Sequence, residues 1–238
     1  MWTAARGFCV FMISGLLVGA AHGQSAPVAL KAGDRIVFLG DSITQAGAGP
    51  KGYVTMVRQE LDKKLGDAAP KSKSIEVLGA GISGNKVPDL EKRLERDVLS
   101  KKPTVVVIYI GINDVWHGES DPARGTVPDR FESGLAGIVD RIQASGARVI
   151  LATPTVIGEK VDGGNKLDKK LDQYADITRA LAKSKKTGLC DLRKAFQDHL
   201  LKANTTNRES GILTSDRVHL NDAGNRFLAD EMLKALGQ

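Results

Sequence analysis

Short apolar runs rich in β-branched residues alternate with longer amphipathic segments through most of this 238-residue chain. Polar residues hardly interrupt these runs, which is typical of strands that are buried on both faces of a parallel sheet. The pattern predicts five strands, the last of them weaker than the others. They lie at residues 35–40, 74–78, 104–110, 148–153 and 188–192.

The segments between the runs place apolar residues three and four positions apart, as one face of a helix requires. Tyr53, Val54, Val57, Leu61 and Leu65 form the first such stripe. Further stripes begin near residues 90, 131, 167 and 227. Strands and helices that alternate in this way predict the α/β class, with a three-layer α/β/α sandwich built on a parallel sheet of about five strands. Without an internal repeat or a linker, residues 24–238 read as a single domain.

Residues 1–23 have the pattern of a secretory signal peptide rather than of folded structure. Arg6 precedes an apolar and small-residue run over 7–21, and Ala21-His22-Gly23 places small residues before the expected cut near Gln24. The run is short for a bilayer span, although an uncleaved anchor is an alternative. We therefore expect a secreted or periplasmic protein.

Charge and residue composition argue against nucleic-acid binding, an intramolecular disulfide and a metal site. The net charge of +6 comes from scattered lysines, and aromatic residues make up only 5% of the chain, so no basic aromatic platform for nucleic acid is expected. Cys9 lies in the predicted signal, which leaves Cys190 as a buried thiol and predicts no intramolecular disulfide. No His-Glu-x-x-His string exists, so we expect no metal.

Chemically useful residues follow the apolar runs, where the carboxyl ends of parallel strands bind ligands. Ser42 follows the first run and Asn113 follows the third, while Asp216 and His219 precede the last helical segment. Ester hydrolysis by serine needs a base, a carboxylate that orients the base, and donors for the oxyanion. His219 and Asp216 can supply the first two from one loop, and Asn113 with backbone N–H groups can supply the third.

Four strings carry a family resemblance: Gly-Asp-Ser-Ile-Thr at 40–44, Ser-Gly-Asn at 83–85, Gly-Ile-Asn-Asp at 111–114 and Asp-Arg-Val-His at 216–219. In composition and order they resemble the blocks of the SGNH, or GDSL-type, lipase/esterase family. The resemblance implies Ser42 as the nucleophile, with Asp216 and His219 as its acid–base pair. It also implies an oxyanion hole from Ser42, Gly84 and Asn113, a flavodoxin-like fold and no cofactor.

Neighbouring residues receive less specific interpretations. We expect Asp41 to bind local backbone N–H groups, and we also place it with Trp116 and His117 as candidates for the lining of a substrate pocket. His199 is expected on the surface of a helix. The polar segments 121–128 and 158–166 are expected to be surface loops.

Other functions fit parts of the same sequence. Gly79-x-Gly81-x-x-Gly84 has the spacing of a dinucleotide fingerprint, but it follows the second strand instead of the first. A non-catalytic carbohydrate-binding protein could use the same fold. Among hydrolases, the short loops favour small acyl groups, such as acetyl esters of carbohydrates or of small molecules, with lysophospholipid or thioester cleavage as the alternative. Sequence does not determine the oligomeric state.

Overall fold

A computed structural model describes residues 28–65 and 74–238 together with Met1. Five parallel strands form one sheet in the order β2-β1-β3-β4-β5. In register, Gly40 at the end of β1 pairs with Gly81 on β2 and with Tyr109 on β3. The strands are β1 (Arg35–Gly40), β2 (Glu76–Gly81), β3 (Val105–Tyr109), β4 (Arg148–Ala152) and β5 (Gly188–Cys190).

Eight α-helices surround this sheet in the described residues. They are α1 (Ser42–Gly47), α2 (Tyr53–Leu65), α3 (Val87–Asp97), α4 (Ile112–Trp116), α5 (Pro128–Ala144), α6 (Asp168–Ser184), α7 (Leu192–Ala203) and α8 (Asp222–Ala235). Helices α2 and α8 pack together in one layer, while α3, α5 and α6 pack in series in the other. The predicted three-layer sandwich is confirmed, because β1 and β3 are buried along nearly their whole length between these layers.

The strand order places a topological switch point between β1 and β3. From β1 the chain crosses to β2 at one edge, and it then returns past β1 to build β3, β4 and β5 on the other side. In open parallel sheets the crevice at this point is where ligands bind, at the carboxyl ends of the strands. The fold thus brings the segments that follow β1, β2 and β3 to one rim.

Several boundaries differ from the sequence prediction. Strand β2 is displaced toward the C-terminus and includes Gly79 and Gly81, so these glycines pair with β1 instead of forming a dinucleotide-binding turn. Helix α1 was not predicted, because its six residues are too few for a periodic stripe. Helix α7 begins at Leu192, which ends β5 earlier than expected.

The segment after β4 contradicts the prediction of a surface loop over 158–166. Glu159 is fully buried, although residues 162–164 are exposed as expected. His199 also differs from prediction, since its ring is half-buried and packs on Phe227 with ring centroids 4.8 Å apart.

The predicted signal segment lies outside the described residues. Within 28–65 and 74–238, no helix is both long and apolar enough to cross a membrane.

Candidate active site

Ser42 lies at the turn from β1 into α1, at the switch point of the sheet. Asp41 caps this helix, because its Oδ1 accepts the Ile43 N–H at 2.9 Å. Close packing also fixes this turn. A Cβ atom on Gly40 would lie 2.2 Å from Thr44 Oγ1 and 2.6 Å from the Tyr109 carbonyl oxygen. Glycine is therefore required at position 40 because β1, α1 and β3 are in tight contact there.

A chain of hydrogen bonds joins Ser42 to the loop that precedes α8. Ser42 Oγ lies 2.9 Å from His219 Nε2, and His219 Nδ1 lies 2.7 Å from Asp216 Oδ2. An imidazole protonated on Nδ1 can donate to the carboxylate while its Nε2 accepts the serine hydroxyl proton. The structure thus brings together three residues that lie up to 177 positions apart in the sequence.

The loop holding Asp216 and His219 has a tight and partly strained backbone. Asp216 Oδ1 accepts the N–H groups of Val218 and His219 at 3.1 and 2.7 Å, which folds the carboxylate back onto its own loop. Arg217 between them adopts a left-handed conformation, with φ of +83°. A side chain with a Cβ rarely adopts this conformation without support from its surroundings.

The electrostatics of Asp216 suit a carboxylate that stays charged beside the imidazole. Partial burial raises the pKa of Asp216, but hydrogen bonds from the His219 ring and from the N–H groups of His219 and Val218 outweigh it, so the pKa lies below its ordinary value. The Asp216 side chain is 52% exposed and that of His219 is 38% exposed, so the pair lies at the open side of the rim.

Gly84 lies in the turn after β2, and Asn113 lies in the short helix α4 after β3, at the same rim of the sheet as Ser42. Asn113 is buried in α4 and donates one Nδ2–H to the Asn85 carbonyl at 3.1 Å, which leaves its second N–H for another acceptor. Gly84 has φ of +74°, and its N–H donates no hydrogen bond within the described part of the chain. The N–H of Ser42 belongs to the first turn of α1, where helix N–H groups lack partners within the helix. These donors are suited to a developing oxyanion.

Asp41 binds a local backbone N–H as expected from the sequence, whereas its burial contradicts the second expectation, that it lines a substrate pocket. Its side chain is buried beneath the serine turn and faces the start of α1. Burial raises the pKa of Asp41 to about 7, and the neighbouring charge of Asp114 adds to this effect. Asp114 is itself buried, and burial raises its pKa to about 6. Two carboxylates thus lie under the site in an environment that disfavours their charged forms.

Trp116 and His117 lie at the end of α4, and both are half-buried. A Cβ atom on Gly84 would lie 3.9 Å from the His117 ring, so this imidazole borders the turn that carries the candidate oxyanion donor. Burial lowers the pKa of His117, and the nearby charges of Lys86 and Arg124 lower it further. These effects favour the neutral form of the His117 imidazole.

Arg93 in α3 binds the ends of two strands at the rim of the sheet, and the sequence analysis did not predict this role. This buried guanidinium donates to the carbonyls of Gly40 and Ala80 at 2.8 and 2.9 Å, and its Nε donates to Asn85 Oδ1 at 2.7 Å. One side chain thus ties the ends of β1 and β2 to the turn that carries Gly84. Its position in the apolar stripe of α3, between Leu90 and Leu94, could have indicated a buried arginine.

Gln45 and Glu159 were also missed. Gln45 Oε1 accepts the Ser83 N–H at 2.7 Å, which ties α1 to the turn after β2. Glu159 accepts hydrogen bonds from residues 212–214, shortly before Asp216, and no local sequence pattern marks it. In the described residues, no group of three or more His, Cys, Asp and Glu side chains converges in a way that could hold a metal ion.

Comparison with known sequences finds a family of lipases and acylhydrolases and several esterases. Residues 38–227 match the model of the GDSL-like Lipase/Acylhydrolase family. The chain is 32% identical over 225 residues to an acetylxylan esterase of Geobacillus stearothermophilus, with 86% of this chain and 94% of that enzyme covered. It is 26% identical over 210 residues to the isoamyl acetate-hydrolyzing esterase 1 homolog of Rattus norvegicus, with 82% and 78% covered.

Solved structures give the same result. The acetyl xylan esterase AlAXEase is 46% identical and superposes with a TM-score of 0.80, over 85% of this chain and 99% of that one. Axe2, an acetylxylan esterase from Geobacillus stearothermophilus, is 30% identical with a TM-score of 0.73, over 89% and 97%. Three further Axe2 structures are of variants described as catalytic mutants, in which a serine, an aspartate and a histidine are each replaced by alanine.

Proposed function

Since this chain belongs to the GDSL-like lipase/acylhydrolase family and is a carboxylic ester hydrolase, we propose that it acts as a serine esterase on small acyl groups, acetyl groups of carbohydrates above all. The observation that carries the mechanism is the hydrogen-bond chain from Ser42 Oγ through the His219 ring to Asp216. The catalytic mutants of Axe2, which replace the same three residue types, support it.

In the proposed cycle, His219 Nε2 takes the hydroxyl proton as Ser42 Oγ bonds to the ester carbonyl carbon. The carbonyl oxygen becomes an oxyanion and accepts hydrogen bonds from the Ser42 and Gly84 N–H groups and from the free Nδ2–H of Asn113. The bond to the alcohol then breaks as the imidazolium returns the proton to the alcohol oxygen. Water adds to the acyl-enzyme with His219 again as base, and release of the acid restores the Ser42 hydroxyl.

The preference for acetyl esters draws support from the relatives and from the composition of the chain. Two relatives are acetylxylan esterases, and a third is a homolog of an esterase that hydrolyses isoamyl acetate. Aromatic residues are few, so large apolar walls for a long acyl chain are scarce. Selectivity between acyl lengths follows from the shape and apolar area of the pocket.

A p-nitrophenyl ester series from acetate to dodecanoate tests this function. We expect acetate to be cleaved with the highest kcat/KM, and Ser42→Ala to remove that activity while the protein stays folded. A fluorophosphonate should label Ser42. Preference for dodecanoate, or for a matched thioester, would favour the lysophospholipase or thioesterase alternative. Carbohydrate binding without any Ser42-dependent turnover would favour the binding protein.

We also propose that the chain is exported, on the strength of the signal pattern in residues 1–23. Expression of the full chain in a bacterial host, followed by N-terminal sequencing of the periplasmic and culture fractions, tests this. A mature N-terminus at or near Gln24 is expected. Full-length chain that stays in the cytoplasm would contradict export without affecting the esterase assignment.

A further inference from the structure

Glu159 is a fully buried carboxylate whose hydrogen bonds all lead toward the loop of the candidate acid–base pair. Its side chain has 0% exposure. Oε1 accepts the N–H groups of Leu213 and Thr214 at 2.7 and 2.6 Å and the Thr214 hydroxyl at 2.9 Å, while Oε2 accepts the Ile212 N–H at 2.8 Å. Four donors from residues 212–214 thus converge on one side chain.

The backbone around Glu159 fastens the same loop at further points. The Gly158 N–H donates to the carbonyl of Arg217 at 2.9 Å, and Arg217 is the strained residue between Asp216 and His219. On its other side, the Glu159 carbonyl accepts an Nδ2–H of the buried Asn204 at 2.7 Å. Residues 158–159 therefore form a fixed support to which the loop is attached both before Asp216 and at Arg217.

We propose that Glu159 is a positioning residue for catalysis: it fixes residues 212–214 and thereby holds Asp216 and His219 in line with Ser42. Glu159 does not touch the substrate in this proposal, which rests on the proposed serine esterase function. Thr214 bridges to Leu220 across the loop, so the attachment point and the residue beside His219 are directly connected. Displacement of a catalytic group by about 1 Å can cost roughly a hundredfold in rate.

A carboxylate is needed here because every partner is a donor. Two oxygens that only accept can satisfy four donors, whereas the amide of glutamine has one oxygen and an NH₂ group that only donates. In Glu159→Gln, the amide oxygen can keep the three donors at the Oε1 position. The NH₂ group then faces the Ile212 N–H, and one end of the attachment is released. A buried donor facing a donor is unfavourable, so the loop is expected to move.

Asp34→Asn provides a matched control at the opposite end of the sheet. Asp34 is also a buried carboxylate, and it accepts the Lys31 N–H at 2.6 Å, the Thr104 hydroxyl at 2.7 Å and the Arg148 guanidinium. It directly precedes β1, whereas Ser42 follows that strand. Both substitutions should lower the melting temperature, but only Glu159→Gln should change the active site.

The test compares kcat, KM and amide hydrogen exchange of both variants with those of the wild type, using p-nitrophenyl acetate. For Glu159→Gln we expect kcat to fall about 10- to 100-fold with KM nearly unchanged, because groups are misplaced without loss of substrate contacts. The Val218 and His219 amides, which donate to Asp216, should exchange faster. In Asp34→Asn, kcat and both amides should keep their wild-type values. Wild-type kcat and wild-type exchange in Glu159→Gln would overturn the proposal.

Thr214→Val covers the case in which Glu159→Gln fails to fold. It removes one of the four donors and leaves the carboxylate in place, so a smaller fall in kcat and faster exchange at His219 are expected; no change in either would overturn the proposal. Failure of the esterase function is recognised separately, as turnover that Ser42→Ala does not reduce. In that case the exchange of the Val218 and His219 amides still decides whether Glu159 holds the loop.

Discussion

At the scale of single residues, the free N–H of Asn113 is the donor that substitution can remove most directly. Its other Nδ2–H is held by the Asn85 carbonyl, so the side chain is already oriented before substrate binds. For Asn113→Ala we expect kcat to fall about 10²- to 10³-fold, the typical cost of one oxyanion donor. Turnover of p-nitrophenyl acetate, with circular dichroism to verify folding, measures this. Near-wild-type turnover in a folded variant would remove Asn113 from the mechanism.

The buried Asp41 carboxyl predicts a pH dependence of stability. Its pKa is raised from 3.8 to about 7, so folding favours the neutral acid; this stabilisation is complete below pH 3.8 and is lost as pH rises through 7. Asp41→Asn keeps an oxygen for the Ile43 N–H but cannot ionise. The variant should therefore gain stability relative to wild type between pH 4 and 7, on the order of a few kcal/mol.

Thermal melts of both proteins across this pH range measure the effect of Asp41. The charges of Asp41 and Asp114 interact, so the difference between the two sets of melting temperatures includes the loss of the Asp41 titration and the change that this loss causes in the titration of Asp114. Melting temperatures that run parallel from pH 4 to 7 would show that Asp41 is ionised in the folded protein throughout.

At the scale of elements, the contact of β2 with α1 sets the distance between the Gly84 turn and Ser42. A Cβ atom on Gly81 would lie 2.1 Å from the Gln45 nitrogen and 2.5 Å from the Thr44 carbonyl carbon. Gly81→Ala must therefore push strand and helix apart, and we expect a loss of about 1–3 kcal/mol in unfolding free energy. Esterase activity should fall with it, because the turn after β2 moves relative to Ser42.

Gly137→Ala is the matched control for Gly81→Ala. Gly137 lies within α5, and a Cβ atom there would meet nothing within 4 Å. Alanine is the better helix former, so this variant should gain about 0.5–1 kcal/mol and keep full activity. Urea unfolding and p-nitrophenyl acetate turnover of the two variants provide the comparison. Equal stability changes in both would show that the contact of Gly81 with α1 does not constrain the strand.

At the scale of the whole molecule, the described fold is stabilised by its core without a disulfide. Cys190 is a free, buried thiol at the end of β5, and burial strongly raises its pKa. Both effects suppress reaction with alkylating agents, which need an accessible thiolate. We expect iodoacetamide to modify Cys190 only in denaturant, as mapped by mass spectrometry, and reductant to leave the melting temperature unchanged. Modification of Cys190 in the native protein would show that β5 opens readily.

Local patterns were sufficient to predict the fold class and the order of the elements. Strands β1, β3 and β4 were predicted within one or two residues, because each is an apolar run buried on both faces. Short elements were harder to predict. Helix α1 has six residues, and the glycines of β2 looked like a turn until their pairing with β1 placed them in the sheet.

The sequence by itself determined which residues are candidates for the chemistry, because Ser42, Asn113 and His219 lie in short strings with a recognisable order. Only the tertiary structure decided which side chains support them. Glu159 binds donors that lie 53 to 55 positions further along the chain, and burial of Asp41 decides between its two expected roles in favour of binding a local backbone N–H. The physical reason is that periodicity indicates which face of its own helix or strand a side chain lies on, whereas its burial and hydrogen bonds depend on which distant segments pack against that face.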